Sequence, residues 1–186
     1  MTGTDSPSLI IDELRLPVAG VIGMCACPGR QPSSGVAPGG QKLDRDLAAI
    51  AAWQPDLMVT LVEQHEFARL GVPDLPAKVT AAGIPWLHLP TKDMHPPDPA
   101  VPVNAVPMDA FLDDALRRGQ RILIHCAAGL GRTGTLAAIL SIRQGYGAEA
   151  AIAETRACRP GAIESPAQVQ FLQDYARCRS DHPIAP

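Results

Sequence analysis

Aromatic residues are scarce, at 4% of 186 residues. Surfaces that stack bases need such side chains, so the composition argues against a single-stranded nucleic-acid binder. A large excess of one charge is missing too. The net charge of −3 gives no electrostatic reason to expect nucleic acid or an anionic membrane as a partner. No apolar run approaches the ~20 residues that cross a bilayer. The stretch "MTGTDSPSLIIDELRL" has neither the basic segment nor the clean apolar core of a secretion signal, and the expectation is a cytoplasmic protein. Five cysteines, at positions 25, 27, 126, 158 and 178, are too few and too scattered for a disulfide framework in a chain this long. In a reducing compartment one of them is available as a nucleophile.

What is present is the composition of an ordinary globular domain, 46% hydrophobic and 19% charged. Residues 1–17 read as a flexible N-terminal tail, 18–179 as one domain and 180–186 as a C-terminal tail. Within the domain "VIGMC", "DLMVTLV", "IPWLHLP" and "RILIHC" are short, apolar and partly β-branched, as buried strands are. Between them lie segments with helical spacing, such as Leu43, Leu47, Ile50 and Ala51. Helices are expected over 108–118, 133–144 and 148–158, and from Pro166 behind a Ser165 cap. The run "RQPSSGVAPGGQ" reads as a loop. Strands alternating with helices predict an α/β fold with a mostly parallel central sheet flanked by helices. In such sheets ligands bind beyond the carboxyl ends of the strands.

One strand delivers "HCAAGLGRTG", residues 125–134, to that edge. Its glycines spell G-x-G-x-x-G, a dinucleotide fingerprint. That reading needs a second strand ending in an acidic residue about 20 positions on, and here the chain enters another helix instead. A Walker-type loop fails for want of its lysine. The spacing Cys126-x5-Arg132 explains more. A loop between strand and helix can turn its backbone N–H groups of Ala127, Ala128, Gly129, Leu130 and Gly131 toward one centre, an anion nest. Arg132 can clamp two phosphate oxygens at once. The nucleophile in cysteine chemistry is the thiolate, which helix N-termini favour. An acid for the leaving oxygen is expected on a neighbouring strand-end loop. In "HLPTKDMHPPD" Asp93 fits, with Asp98 as the fallback. Thr133 can hydrogen-bond the departing sulfur.

The segment "HCAAGLGRTG" resembles the H-C-x-x-G-x-x-R-[ST] signature of cysteine-dependent protein tyrosine and dual-specificity phosphatases. "CACPG", "HLPTKDMHPPD" and "RPGAIESPAQVQFLQDY" resemble its kinase-associated phosphatase (cyclin-dependent kinase inhibitor 3) branch. The resemblance spans roughly residues 18–175. It implies a compact phosphatase fold, Cys126 as nucleophile, Arg132 as phosphate binder, Asp93 as general acid and Thr133 as helper in the second step. It implies a phosphorylated protein as substrate and a reaction that needs neither metal nor cofactor.

Other readings compete for single residues. His125 is expected to be structural. Gln168 either positions the attacking water or closes the capping box Ser165-x-x-Gln168, and Glu164 is expected on the surface. Cys25-x-Cys27 lacks the second pair of a zinc site; one of the two could instead trap an oxidised Cys126 as a disulfide. The absence of lysine at Ala127, Ala128 and Leu130 argues against phosphoinositides. A catalytically inactive phosphate-binding module using the same loop is the alternative function, and a sulfurtransferase the enzymatic one.

Overall fold

A computed structural model describes residues 9–30 and 39–181. The main sheet has five strands: β1 (Asp12–Arg15), β2 (Val21–Cys25), β3 (Leu57–Thr60), β4 (Trp86–His88) and, from late in the chain, β7 (Arg121–His125). Their order is β1-β2-β7-β3-β4. β1 runs antiparallel to β2, and the other pairs are parallel. Strand β7 is central, and its buried Ile122, Leu123 and Ile124 read as the continuous apolar run of a strand covered on both faces. Strands β5 (Pro102–Val103) and β6 (Val106–Pro107) form a separate small hairpin. Its turn puts both Asn104 and Ala105 at positive φ, the twist a two-residue hairpin loop requires.

Helices α1 (Gly39–Trp53) and α3 (Leu75–Ala81) pack together, with the short α2 (Gln64–Arg69) following β3. Helix α5 (Gly131–Arg143) packs against α4 (Met108–Arg117), α6 (Ala148–Cys158) and α7 (Pro166–Asp181). Nearly every side chain of α5 is buried, which makes it the central helix of the domain. The α/β architecture and mostly parallel sheet are as the sequence predicts.

Three boundaries differ from the sequence-based expectation. The sheet begins at Asp12, inside the stretch read as a tail, because Leu14 and Leu16 alternate inward and are buried while their neighbours stay wet. Residues 1–8 lie outside the described chain. Helix α5 starts at Gly131, two residues before the expected Thr133. Helix α7 runs to Asp181, past the expected end of the domain at 179; residues 182–186 are outside the described chain. The expected loop from Arg30 is undescribed over 31–38, and α1 begins at Gly39.

Candidate active site

The ends of β2, β3 and β7 lie side by side, with Cys25 and Thr60 each opposite His125 in the sheet register. His125 is fully buried and bonded at both ring nitrogens. Trp86 Nε1–H donates to Thr60 Oγ1 at 2.8 Å, and Thr60 Oγ1 lies 2.7 Å from His125 Nε2. The Cys126 carbonyl beside Nδ1 can only accept, so in the neutral ring the proton sits on Nδ1 and Nε2 accepts from the Thr60 hydroxyl. That N–H then donates to Cys126 O at 3.2 Å. Desolvation pushes His125 down to about 4, so the ring is neutral at physiological pH. It anchors the first carbonyl of the loop, a structural task.

The next three carbonyls are anchored as well. Ala127 O accepts the Cys27 N–H at 3.1 Å and Arg30 Nη1 at 3.3 Å. Arg159 donates from Nη2 to Ala128 O at 3.2 Å and from Nε to Gly129 O at 2.5 Å, while its Nη1 pairs with Asp12 at 2.5 Å. In a trans peptide the N–H points opposite the preceding C=O. Four carbonyls tied away from the centre therefore turn the N–H groups of Ala127, Ala128, Gly129 and Leu130 inward. Gly129 makes this possible, with φ +72° and no room for a Cβ, which would lie 2.1 Å from Cys25 O. Cys126 itself is 3% exposed and lines a cleft of about 290 Å³ with Ala127, Ala128, Arg132, Asp93 and Glu164.

Arg132 is held with one edge spoken for. Its Nη1 and Nη2 reach the two carboxylate oxygens of Glu66 at 2.6 and 3.1 Å, and Nη1 also donates to Thr91 O at 2.9 Å. Burial alone would lower the guanidinium pKa, but the Glu66 carboxylate beside it holds it above the ordinary value. Nε has no partner, and the remaining Nη2 contact is Asp93 Oδ1 at 3.1 Å. The Nε–Nη2 edge is thus the open side of the fork, the geometry that accepts two oxygens of a phosphate. Thr133 Oγ1 is the neighbouring orphan, buried and unpartnered. Arg132 Nε and Thr133 Oγ1 thus keep unused hydrogen-bonding capacity at the start of α5; Arg143 Nε and Thr155 Oγ1, away from the cleft, share that state among the described residues.

Asp93 sits on the loop beyond β4, its side chain 56% exposed. The loop is pinned from α7: Ser165 Oγ donates to Met94 O at 2.7 Å, and Gln168 Nε2 donates to His95 O at 3.3 Å. Gln168 Oε1 accepts the Ser165 N–H, and Ser165 Oγ accepts the Gln168 N–H. The capping box is formed, and the same Gln168 side chain steadies the acid loop. Asp98 instead accepts the Ala100 N–H within its own turn and lines a separate pocket with His95 and Val101.

Cys25 and Cys27 are buried free thiols. Burial raises both, Cys27 to about 12, so each stays protonated at physiological pH.

Three residues of the site escape a reading of the sequence. Glu66, which orients Arg132, looks like one more acid in "EQHEFAR". Arg159, which turns the loop, lies 27 positions beyond Arg132. Glu164, expected on the surface, is exposed yet aims its carboxylate at the loop, accepting the Gly131 N–H at 2.8 Å. Its neighbours in "RPGAIESP" gave the one available signal. Positive charge also reaches the cleft from outside the loop, through Arg30 and Arg69, which weakens the argument from absent loop lysines.

Both the sequence and the fold are similar to those of known proteins. The model of the family Tc-R-P, a polymorphic toxin system DSP-PTPase phosphatase, matches residues 36–146. The chain belongs to that family. Human dual specificity protein phosphatase CDC14C is 44% identical over 77 residues, 40% of this chain and 17% of that protein. The tyrosine-protein phosphatase CDC14 of Saccharomyces cerevisiae is 38% identical over 87 residues, 46% of this chain and 15% of that protein. The match thus covers under a fifth of these relatives' length. In fold, the chain superposes on a kinase-associated phosphatase with serine in place of its catalytic cysteine at a TM-score of 0.80, 23% identity and 96% and 99% coverage. The phosphatase Tk-PTP in its active form superposes at 0.64 with 27% identity, covering 84% of this chain and 91% of that one.

Proposed function

We propose that this domain hydrolyses phosphomonoesters on proteins through a phosphocysteine intermediate. The observation that carries the reading is the open Nε–Nη2 edge of Arg132 in the cleft that Cys126 also lines, beside a loop whose N–H groups are turned inward. Phosphate settles on that edge and on the N–H groups of Ala127, Ala128, Gly129, Leu130 and Gly131. It takes the place of Asp93 on Nη2 and frees that carboxyl for the leaving oxygen. The Cys126 thiolate attacks phosphorus, an S–P bond forms, the P–O bond to the substrate breaks, and Asp93 delivers a proton to the departing oxygen. Water then attacks the phosphocysteine, Asp93 accepts its proton, and the S–P bond breaks as the Thr133 hydroxyl donates to the sulfur. Apart from the attacking water, each group in these steps is a side chain or backbone amide of this chain.

The relatives are named as dual specificity and tyrosine-protein phosphatases, which supports a phosphorylated protein as the substrate. Among the described residues no helix is long and apolar enough to cross a membrane. We place the enzyme in the cytoplasm, where reducing conditions protect a nucleophilic thiol. The functional unit includes β1 and the start of α7, since Asp12 pairs with Arg159 behind the loop and Ser165 and Gln168 hold the acid loop.

Hydrolysis of p-nitrophenyl phosphate in EDTA, comparing wild type with Cys126→Ser, tests the reading. Turnover without metal that the substitution abolishes is the expected result. Tungstate binding with no turnover in wild type would replace it with a phosphate-binding module.

A further inference from the structure

Glu164 belongs neither to the nucleophile, the clamp nor the acid, yet its carboxylate reaches the cleft. Oε2 accepts the Gly131 N–H at 2.8 Å, the amide at the N-terminus of α5 that follows the four inward N–H groups and precedes Arg132. A negatively charged oxygen there occupies a position otherwise suited to phosphate. The approach depends on Gly131, where a Cβ would come 2.7 Å from Oε2 and 3.0 Å from Gln168 Nε2. The backbone around Glu164 is fixed on both sides. Ile163, buried and at φ +60°, donates its N–H to Leu130 O at 3.3 Å, and Ser165 is locked in the capping box and bonded to Met94 O. The side chain is exposed and able to swing outward.

We propose that Glu164 is an internal competitor for the phosphate site, a residue that sets phosphate affinity and helps expel the product. The inference rests on the phosphatase reading of the cleft. A carboxylate and a phosphate dianion repel at contact distance, and one N–H cannot serve both equally. Substrate phosphate displaces Glu164 from Gly131. After hydrolysis the carboxylate returns to the amide and inorganic phosphate leaves. This residue therefore weakens binding of every oxyanion while shortening the life of the product complex.

The test is calorimetric titration of inorganic phosphate and of tungstate into wild type, Glu164→Gln and Glu164→Ala, with thermal melts of all three. Gln keeps an acceptor for the Gly131 N–H and removes the charge; Ala removes both. A charge-assisted hydrogen bond is strong enough that both variants should bind the anions about tenfold more tightly, with a lower KM for p-nitrophenyl phosphate and stronger product inhibition. Unchanged affinity in both variants overturns the inference and leaves the phosphatase reading standing. Weaker affinity together with a lower melting temperature also overturns it, and would make Glu164 a helix cap only. A wild type that binds neither anion and turns over no substrate refutes the phosphatase reading and the inference with it.

Discussion

Replacing Glu66 with alanine should damage both stability and catalysis, because one buried carboxylate serves four donors. Its oxygens take Arg132 Nη1 at 2.6 Å and Nη2 at 3.1 Å, the Glu63 N–H at 2.8 Å and Arg69 Nη2 at 2.9 Å. Glu66 and Arg132 are 0% and 1% exposed, so solvent cannot take over when the carboxylate is removed. Losing one partner of such a pair costs about 3–5 kcal/mol, since the other charge is left buried and unpaired. For a chain of this size that corresponds to a fall in melting temperature of roughly 6–20 °C. Catalysis should fall as well, because the guanidinium edge that faces phosphate is aimed only by the bonds on its other edge. Arg69→Ala is the internal control. It breaks only the contact with a side chain 61% exposed, and should cost less than about 1 kcal/mol. The assays are thermal melts of both variants and kcat/KM on p-nitrophenyl phosphate for Glu66→Ala; Arg69 lines the cleft, so its variant is a control for stability alone. A Glu66→Ala protein that melts within about 2 °C of wild type and keeps its kcat/KM would refute the reasoning.

Three further outcomes follow from the same geometry. His125 ionises near 4 in the fold because burial disfavours its cation, against an ordinary value near ~6.5 in the unfolded chain. The unfolded state therefore takes up the proton first, and stability should fall by roughly 3 kcal/mol as pH drops from about 6.5 to about 4; melting curves across that window should flatten in His125→Gln, and an unaltered slope counts against it. Asp93→Ala should lower kcat on p-nitrophenyl phosphate by about 10²–10⁴-fold; unaffected turnover removes Asp93 from the mechanism. Gly129→Ala should abolish oxyanion binding measured by calorimetry, since its Cβ would sit 2.1 Å from Cys25 O at a φ of +72°; binding at wild-type strength would show that the loop does not need that turn.

Much of the fold was legible because local patterns carry it. Short β-branched runs and helix punctuation at Gly83, Gly119 and Gly145 appear where the strands and turns are. The start of the sheet was less visible: Leu14 and Leu16 alternate inward over too few residues to outweigh the polar stretch before them. Helix α5 starts earlier than expected because Gly131 and Arg132 are helical despite belonging to the loop motif.

By itself the sequence determined where the candidate site lies, since Cys126, Gly129, Gly131, Arg132 and Thr133 fall within eight positions, between a strand and a helix that local patterns also reveal. Tertiary structure alone decided how that loop is held. Glu66, Arg159 and Glu164 are 66, 27 and 32 positions from Arg132 in the chain; no local pattern marks Glu66, and the stretch "RPGAIESP" that holds the other two does not say which groups of the loop they meet. Folding brings them to the loop because β3 and β7 are neighbours in the sheet and α6 and α7 pack against α5. The carbonyls those neighbours tie down, the guanidinium edge they leave open and the amide Glu164 occupies are set by three-dimensional proximity, which a linear spacing does not encode.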